Sequence, residues 1–452
     1  MLTSKPVDAS AARELLAHLH RVAVEAAHGG KVLVANSHVD GDVWRYTKDS
    51  LAVPLPGRSS PGRVLIVGAG KAAAALARGM QSVLGERISD GVVVVKYGHR
   101  ESLQRVRILE AAHPVPDASG VAATREVLRL LDDSTAADTV FCLLSGGASS
   151  LLVAPAPGLS FEDKAVAGRM LVNSGASIHE VNVVRKHLSA VKGGRLRDRA
   201  RCRAFCTLAI SDVLGDDPSV IGSGPTVPDE STFADALQIV DRYALRSLLP
   251  PAIVAHLQRG AEREHVATTV QSGAAGDTSF RIIASIRLSI DACVREAARL
   301  GLRVQIVTQE MSGHTHDAAR SFAAALRAAA ESRRAEDPPT LLLAGGETTL
   351  AVQGTGRGGR NQEFALVAAQ ALHDLRHVAV LAAGTDGTDG PTDAAGAFVD
   401  ESLVFRARAL GLDPADHLRR NDAYPLLDAL GALHGTGPTG TNVMDLVIGL
   451  AY

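Results

Sequence analysis

Rings are scarce in this sequence: one Trp, five Tyr and nine Phe make up 3% of 452 residues. With 43 glycines beside so few aromatics, tight strand–helix turns of an α/β protein fit better than a β-sandwich. Charge of one sign is also missing, since the net value is −2, so no basic footprint points to nucleic acid. The four cysteines, Cys142, Cys202, Cys206 and Cys293, form no CxxC pair, which argues against a zinc site. They read as idle thiols of a reducing compartment. No apolar run reaches the ~18 residues that cross a bilayer, and no signal-peptide pattern opens the sequence. A soluble, cytoplasmic protein without membrane or nucleic-acid partners is expected. Internal repeats and low-complexity tails are absent too.

What is present is alternation. Leu15, Leu19, Val22 and Ala26 recur at helical spacing and predict an amphipathic packing helix. Then "RVLIVGAG", "DGVVVVK", "TVFCLLSGGASSLL" and "FCTLAISD" are apolar runs separated by helical patterns. Continuous apolar runs of this kind belong to a parallel, doubly wound sheet, buried on both faces. Each ends in a polar or glycine-rich tip, where open α/β sheets bind ligands. The pattern predicts a Rossmann-like domain over 1–240 and a helical connection over 241–275. A second, smaller α/β domain follows over 276–452. "ESRRAEDPP" reads as a solvated loop.

The tips carry the chemistry. "GAGKAAA" has Gly68 and Gly70 but Ala73 at the third fingerprint position, and the next strand ends in Lys96 where NAD binding wants an acid. Walker A is absent as well. A strand–helix turn with Lys71 beside it remains, either as a tight turn or as an anion site. In "SGGASS", Ser145, Gly146, Gly147, Ser149 and Ser150 can cradle phosphate through converging N–H and O–H groups. No GxSxG elbow accompanies them. Arg185, Lys186, His187, Lys192 and Arg195 crowd one stretch without an acid, consistent with an anionic ligand or a charged surface.

Carboxylates follow. Asp212, Asp216 and Asp217 open a Gly/Pro-rich loop and suit Mg²⁺ or a turn. Glu347 follows a strand, and "GRGGRNQE" sets Arg357, Arg360, Asn361, Gln362 and Glu363 at a helix start, where an anion would sit. "GTDGTDGPTD" carries Thr385, Asp386, Asp389 and Asp393 but lacks the glutamate of a calcium loop. His314 and His316 read as incidental to a helix start.

In order along residues 64–442, "GAGKA", "AAHPVPD", "LLSGGASSLL", "VRKHLSAVKGGRL", "SDVLGDDPSVIGSGPTVPD", "GGETT", "GRGGRNQE", "GTDGTDGPTDAAGA" and "TGPTGTN" resemble the class II glycerate 2-kinase family. Its C-terminal part is called MOFRL, and its members are often labelled hydroxypyruvate reductases. The resemblance implies two α/β domains with the active site in the cleft between them. It implies ATP- and Mg²⁺-dependent phosphorylation of the 2-hydroxyl of D-glycerate, within carbohydrate-acid metabolism. The family's central lysine and arginine fall on Lys71 and Arg360, and its strand-end aspartates on Asp212 and Asp386. Ile286 and Met444 depart from its pattern, where Asn is common.

On that reading the site comprises Lys71, Arg360 and Asp386 as catalytic groups. Gly70, Ser145, Gly146, Gly147, Ser149, Ser150, Arg185, Lys186, Asp212, Glu347, Asn361 and Thr385 bind substrate or nucleotide, and Asp212 or Asp386 holds metal. Lys71 and Arg360 stabilise the transferring phosphoryl group. Either Asp386 or Asp212 takes the hydroxyl proton. Arg185 with Lys186, or Arg360, pairs with the substrate carboxylate. A homodimer is compatible. The alternative is an NAD(P)H-dependent hydroxypyruvate reductase, motivated by "VLIVGAG".

Overall fold

The computed structural model describes residues 8–266, 277–334 and 336–452. Two compact units emerge: residues up to Lys31 together with those from Ala284 onward, and Val32–Ile283. The first helix groups with the C-terminal half, and the described part of the expected 241–275 connection and nearly all of the strand that follows it group with Val32–Ile283, where the sequence suggests boundaries at 240 and 276. That helix, Ala9–Ala26, starts where the Asp8 carboxylate accepts the Ala11 N–H at 2.8 Å. It buries Leu16 and Leu19 completely. Against it lies the helix Ile286–Arg299, joined by Ser289 Oγ donating to Ala23 O at 2.9 Å and by His18–Glu296 at 2.6 Å. Of the expected connection, the helix Pro251–Val266 is described, whereas 267–275 and Ala335 of "ESRRAEDPP" lie outside the described residues.

The unit Val32–Ile283 opens with a small antiparallel sheet, β1 (Ser37–Asp40), β2 (Val43–Tyr46) and β3 (Leu51–Pro54). Its Trp44 is fully buried and packs edge-on to Phe141 at 5.3 Å. The main sheet contains β4 (Val64–Ala69), β5 (Ile88–Lys96), β6 (Arg107–Ala111), β7 (Thr139–Leu144), β8 (Ala204–Ile210) and β9 (Asp277–Ala284). Its order is β6-β5-β4-β7-β8-β9, and every pair from β6 to β8 is parallel. All residues of β4, β7 and β8 are buried, as the unbroken apolar runs require. The order reverses between β4 and β7. That switch point opens a crevice beyond their C-terminal ends, where Lys71 and Ser145 follow.

The other unit carries a mixed sheet: β10 (Arg303–Met311), β11 (Thr340–Gly346), β12 (Val378–Gly384), β13 (Gly396–Asp400), β14 (Leu433–His434) and β15 (Asp445–Ala451), in the order β10-β11-β15-β12-β13-β14. In it β10 and β11 run parallel, and β15 lies antiparallel between β11 and β12. The register sets Gly346 and Gly384, the last residues of β11 and β12, opposite Asp445. One carboxylate therefore stands between two strand ends, and "GGE" and "GTD" are delivered to it.

Candidate active site

In the Val32–Ile283 unit, Lys71 is fixed through its backbone. Its N–H donates to Gly146 O at 2.8 Å, and its carbonyl accepts from His99 Nδ1 at 3.0 Å. Gly70 has φ +138°, and a Cβ there would lie 2.1 Å from Ser145 Oγ and 2.5 Å from Ser145 O. Only glycine permits that approach. The Lys71 stem passes beside His113 and over Gly147, whose added Cβ would lie 3.5 Å from Lys71 Cγ. Beyond Lys71 the helix Ala73–Leu84 begins without any side-chain cap.

The "SGGASS" hydroxyls divide. Ser145 is fully buried, and its Oγ accepts the Ala72 N–H at 3.0 Å, so it locks the two turns together. Ser149 Oγ meets Ser223 Oγ at 2.9 Å and accepts from Lys192 Nζ at 2.9 Å. Ser150 is buried. The basic stretch also divides. A Ser177–Glu180 capping box starts the helix Ile178–His187. From its last turn Lys186 turns to Asp229, 3.2 Å away. Arg185 instead lines a cavity with Lys164, Lys192 and Ser149. Burial lowers the Lys192 ammonium well below its usual range, with Lys164 and Arg185 adding repulsion. Burial, then Arg185 and Arg195, bring Lys164 down to about 7. Asp212 is half-buried, two residues beyond β8. Asp217 accepts the Ser219 N–H and serves a turn.

In the other unit the centre is Arg360. Its Nε and Nη2 donate to the two oxygens of Asp445 at 2.5 and 2.9 Å, and Nη1 lies 2.7 Å from Glu347. Burial alone would lower the guanidinium's pKa, but Asp445 and then Glu347 raise it, so the charge is permanent. Asn361 Nδ2 also donates to Asp445, at 3.0 Å. The expected anion place at the start of helix Arg360–Leu372 is taken by the protein itself. Asp389 accepts the Asn361 and Gln362 N–H groups at 3.1 and 2.9 Å. Gly359 makes room, since a Cβ there would lie 2.3 Å from the Asp389 carboxyl carbon. Burial pushes the Asp389 carboxyl up to about 7 against its N–H bonds, with the Asp445 charge adding to the rise. It is an internal cap, not a ligand site.

Asp386 is buried; its Oδ1 accepts the Thr388 N–H and hydroxyl at 2.9 and 3.0 Å. Asp386 and Asp445 each have an oxygen within 3.5 Å of where a Gly384 Cβ would stand, so the two carboxylates flank one glycine. Thr385 is fully buried, donating to Met444 O at 2.6 Å and accepting from Val443 N at 2.9 Å. This clasp holds Met444 at φ +70°, a left-handed conformation that Asn adopts more easily. Arg357 stacks over Tyr424, which donates to the exposed Asp393. His314 caps the helix Thr315–Ser332, and His316 pairs with the buried Glu363 at 2.7 Å. Sequence reasoning missed Asp445 and Lys164. An aspartate opening the apolar run "DLVIGLAY" was the available signal for the first.

Among the described residues no group of three or more His, Cys, Asp or Glu is placed to hold a metal. A Mg²⁺ taking one carboxylate with phosphate oxygens and water still fits these strand-end aspartates. No helix among the described residues is long and apolar enough to cross a membrane.

Residues 15–258 match the family described as "Domain of unknown function (DUF4147)", and residues 340–445 match the MOFRL family. The chain is 41% identical to a glycerate 2-kinase of Pyrococcus horikoshii over 86% of its length and 87% of the relative's. It is 43% identical to a D-glycerate 2-kinase of Thermotoga maritima over 86% and 90%. A crystal structure of a glycerate kinase from Thermotoga maritima superposes with a TM-score of 0.81 at 38% identity, covering 98% of this chain and all of that one.

Proposed function

The chain belongs to the glycerate 2-kinase family, and from that premise we propose how its residues carry out the reaction. It is an ATP-dependent kinase that phosphorylates the 2-hydroxyl of D-glycerate to give 2-phosphoglycerate. The hydroxyl oxygen bonds to the γ-phosphorus, the bond to the β-bridging oxygen breaks, and ADP leaves. Phosphoryl transfer needs positioning and charge neutralisation more than covalent help. Lys71 supplies a cation beside the switch-point crevice, on a stem whose backbone is tied on both sides. Arg360 supplies a guanidinium already oriented by Asp445 and Glu347. Asp386 is the proposed acceptor of the hydroxyl proton. Bound Mg²⁺, held by Asp386 or Asp212, would neutralise phosphate oxygens.

The observation that carries the assignment of Lys71 is its anchoring at the C-terminal end of β4, where the strand order reverses. The test uses purified protein with D-glycerate, ATP and Mg²⁺, following ADP release and identifying the phosphorylated carbon. Lys71→Ala lowers kcat by about 10²–10³-fold, the range for losing one preorganised group at developing charge. Near-normal turnover of that variant would remove Lys71 from the mechanism. NADH consumption with hydroxypyruvate and no ADP release would overturn the kinase reading.

A further inference from the structure

Below the "SGGASS" turn lies a cavity of about 390 Å³ whose lining, among the described residues, contains no Asp or Glu. Lys164, Arg169, Arg185 and Lys192 line it, Arg169 from its exposed rim, and Leu152, Val153 and Val172 supply apolar wall. The cations have local partners but no counter-charge in that lining. Lys192 Nζ donates to Ser149 O at 2.7 Å, and Lys164 Nζ donates to Ala154 O at 3.1 Å. Buried charges are ordinarily paired, so this group is built for an anion that arrives from outside.

We propose that this cavity seats the donor nucleotide, its base against the apolar wall and its phosphates against Arg185, Lys192 and Lys164. The inference rests on the kinase reading above. Two magnitudes favour the nucleotide over the acceptor. Four cations, three of them largely buried, match a polyphosphate, whereas D-glycerate brings one carboxylate. The volume falls in the range of pockets that bury drug-sized ligands, far larger than a three-carbon acid needs. The cavity also leads toward the chemistry. Ser149, which accepts from Lys192, is two residues from Gly147, over which the Lys71 stem passes. Phosphates laid along this path end at Lys71.

Lys164, lowered to about 7, is largely neutral in the empty cavity at mildly alkaline pH and regains a proton when a polyanion binds. Nucleotide binding is therefore accompanied by proton uptake.

Gly168, in the helix Phe161–Asn173, offers a clean perturbation, because a Cβ there meets nothing within 4 Å and the residue lines the cavity. Binding of ADP is measured by calorimetry in two buffers of different ionisation heat, at about pH 8. Wild-type protein binds ADP with proton uptake, and Lys164→Met binds it with clearly less uptake, the remainder belonging to Lys192. Gly168→Phe raises the Kd for ADP and the KM for ATP by about tenfold or more, leaving the KM for D-glycerate within about twofold and the melting temperature unchanged. Unchanged ADP affinity in Gly168→Phe overturns the proposal, as does a rise confined to the KM for D-glycerate or a wild type that binds no ADP. ADP binding without phosphorylation of D-glycerate would sink the acceptor assignment while leaving the cavity's role intact.

Discussion

Replacing Asp445 by Asn tests whether Arg360 is positioned or merely present. Asp445 is 1% exposed and accepts three N–H groups, two from Arg360 and one from Asn361. The substituted amide would keep one oxygen, best spent where Arg360 Nη2 and Asn361 Nδ2 converge. Its NH₂ then faces Arg360 Nε–H, donor against donor. The loss is one charge-assisted hydrogen bond, about 1.5–3 kcal/mol, plus a buried donor left unmade, about 1–3 kcal/mol. Removal of the repulsion on Asp389 offsets part of this. A net cost of about 3 kcal/mol lowers the melting temperature of a unit this size by about 6–12 °C. Freed from its clamp, the guanidinium is misplaced by roughly an ångström, which costs about 10²-fold in kcat. Thermal unfolding and steady-state kinetics on the same preparation check both numbers. Loss of stability with unchanged kcat would refute the positioning argument, and neither change would refute the description of the clamp. A third readout follows from Asp389. Its raised pKa stabilises the fold below its ordinary value near 3.8, and that stabilisation is lost as pH rises through about 7. In Asp445→Asn the loss comes at lower pH.

Gly70→Ala places a methyl carbon 2.1 Å from Ser145 Oγ at a φ that L-residues avoid. It should cost about 3 kcal/mol or more and cut turnover, read by denaturant unfolding and ADP release; a silent variant would deny the turn its role. Gly359→Ala should displace Asp389 from its helix and cost about 2 kcal/mol; an unchanged unfolding midpoint would count against the internal cap. Buried His20 and half-buried His434, with Nδ1 and Nε2 3.2 Å apart, are held at about 3 and about 4, chiefly by burial. Both must be neutral in the fold, so their contribution is complete above the ordinary 6.5 and drains away as pH falls toward 4. Two histidines outweigh Asp389, whose effect has the opposite sign, and stability should rise with pH from about 4 to 6.5. His434→Gln should flatten that limb, and an unaltered limb would exonerate the pair.

Much of this was legible in the sequence, for physical reasons. β4, β7 and β8 are buried on both faces, so their residues have no polar alternation to blur them. Lys71 stands out because it follows such a strand and two glycines. Asp445 does not, because its partner Arg360 is 85 residues away, at the start of a helix. Ser145 and Thr385 read as ligand-facing hydroxyls; a hydroxyl in a glycine turn looks the same whether it serves a phosphate or the backbone. Asp389 reaches its helix start across 27 residues, and only Gly359 hints that something approaches closely there. The helix at Ala9–Ala26 is visible from its spacing, but spacing does not say which half of the chain it covers.

That last pairing bears on how the protein is made. The carbonyl of Ala23 and the hydroxyl of Ser289 are 266 residues apart. At ribosomal rates of about 5–20 residues per second, the first helix waits roughly 15–50 s before its partner is synthesised. Val32–Ile283 is made within that interval and completed six residues before Ser289, so it can fold as an inserted domain between two pieces of its neighbour before the helix docks. Folding it first brings the ends of the interruption together, so the late docking pays far less loop-closure entropy than a free chain of that length. Until then Leu16 and Leu19 stand exposed on an unpartnered helix, and the interval is the natural one for a chaperone to cover.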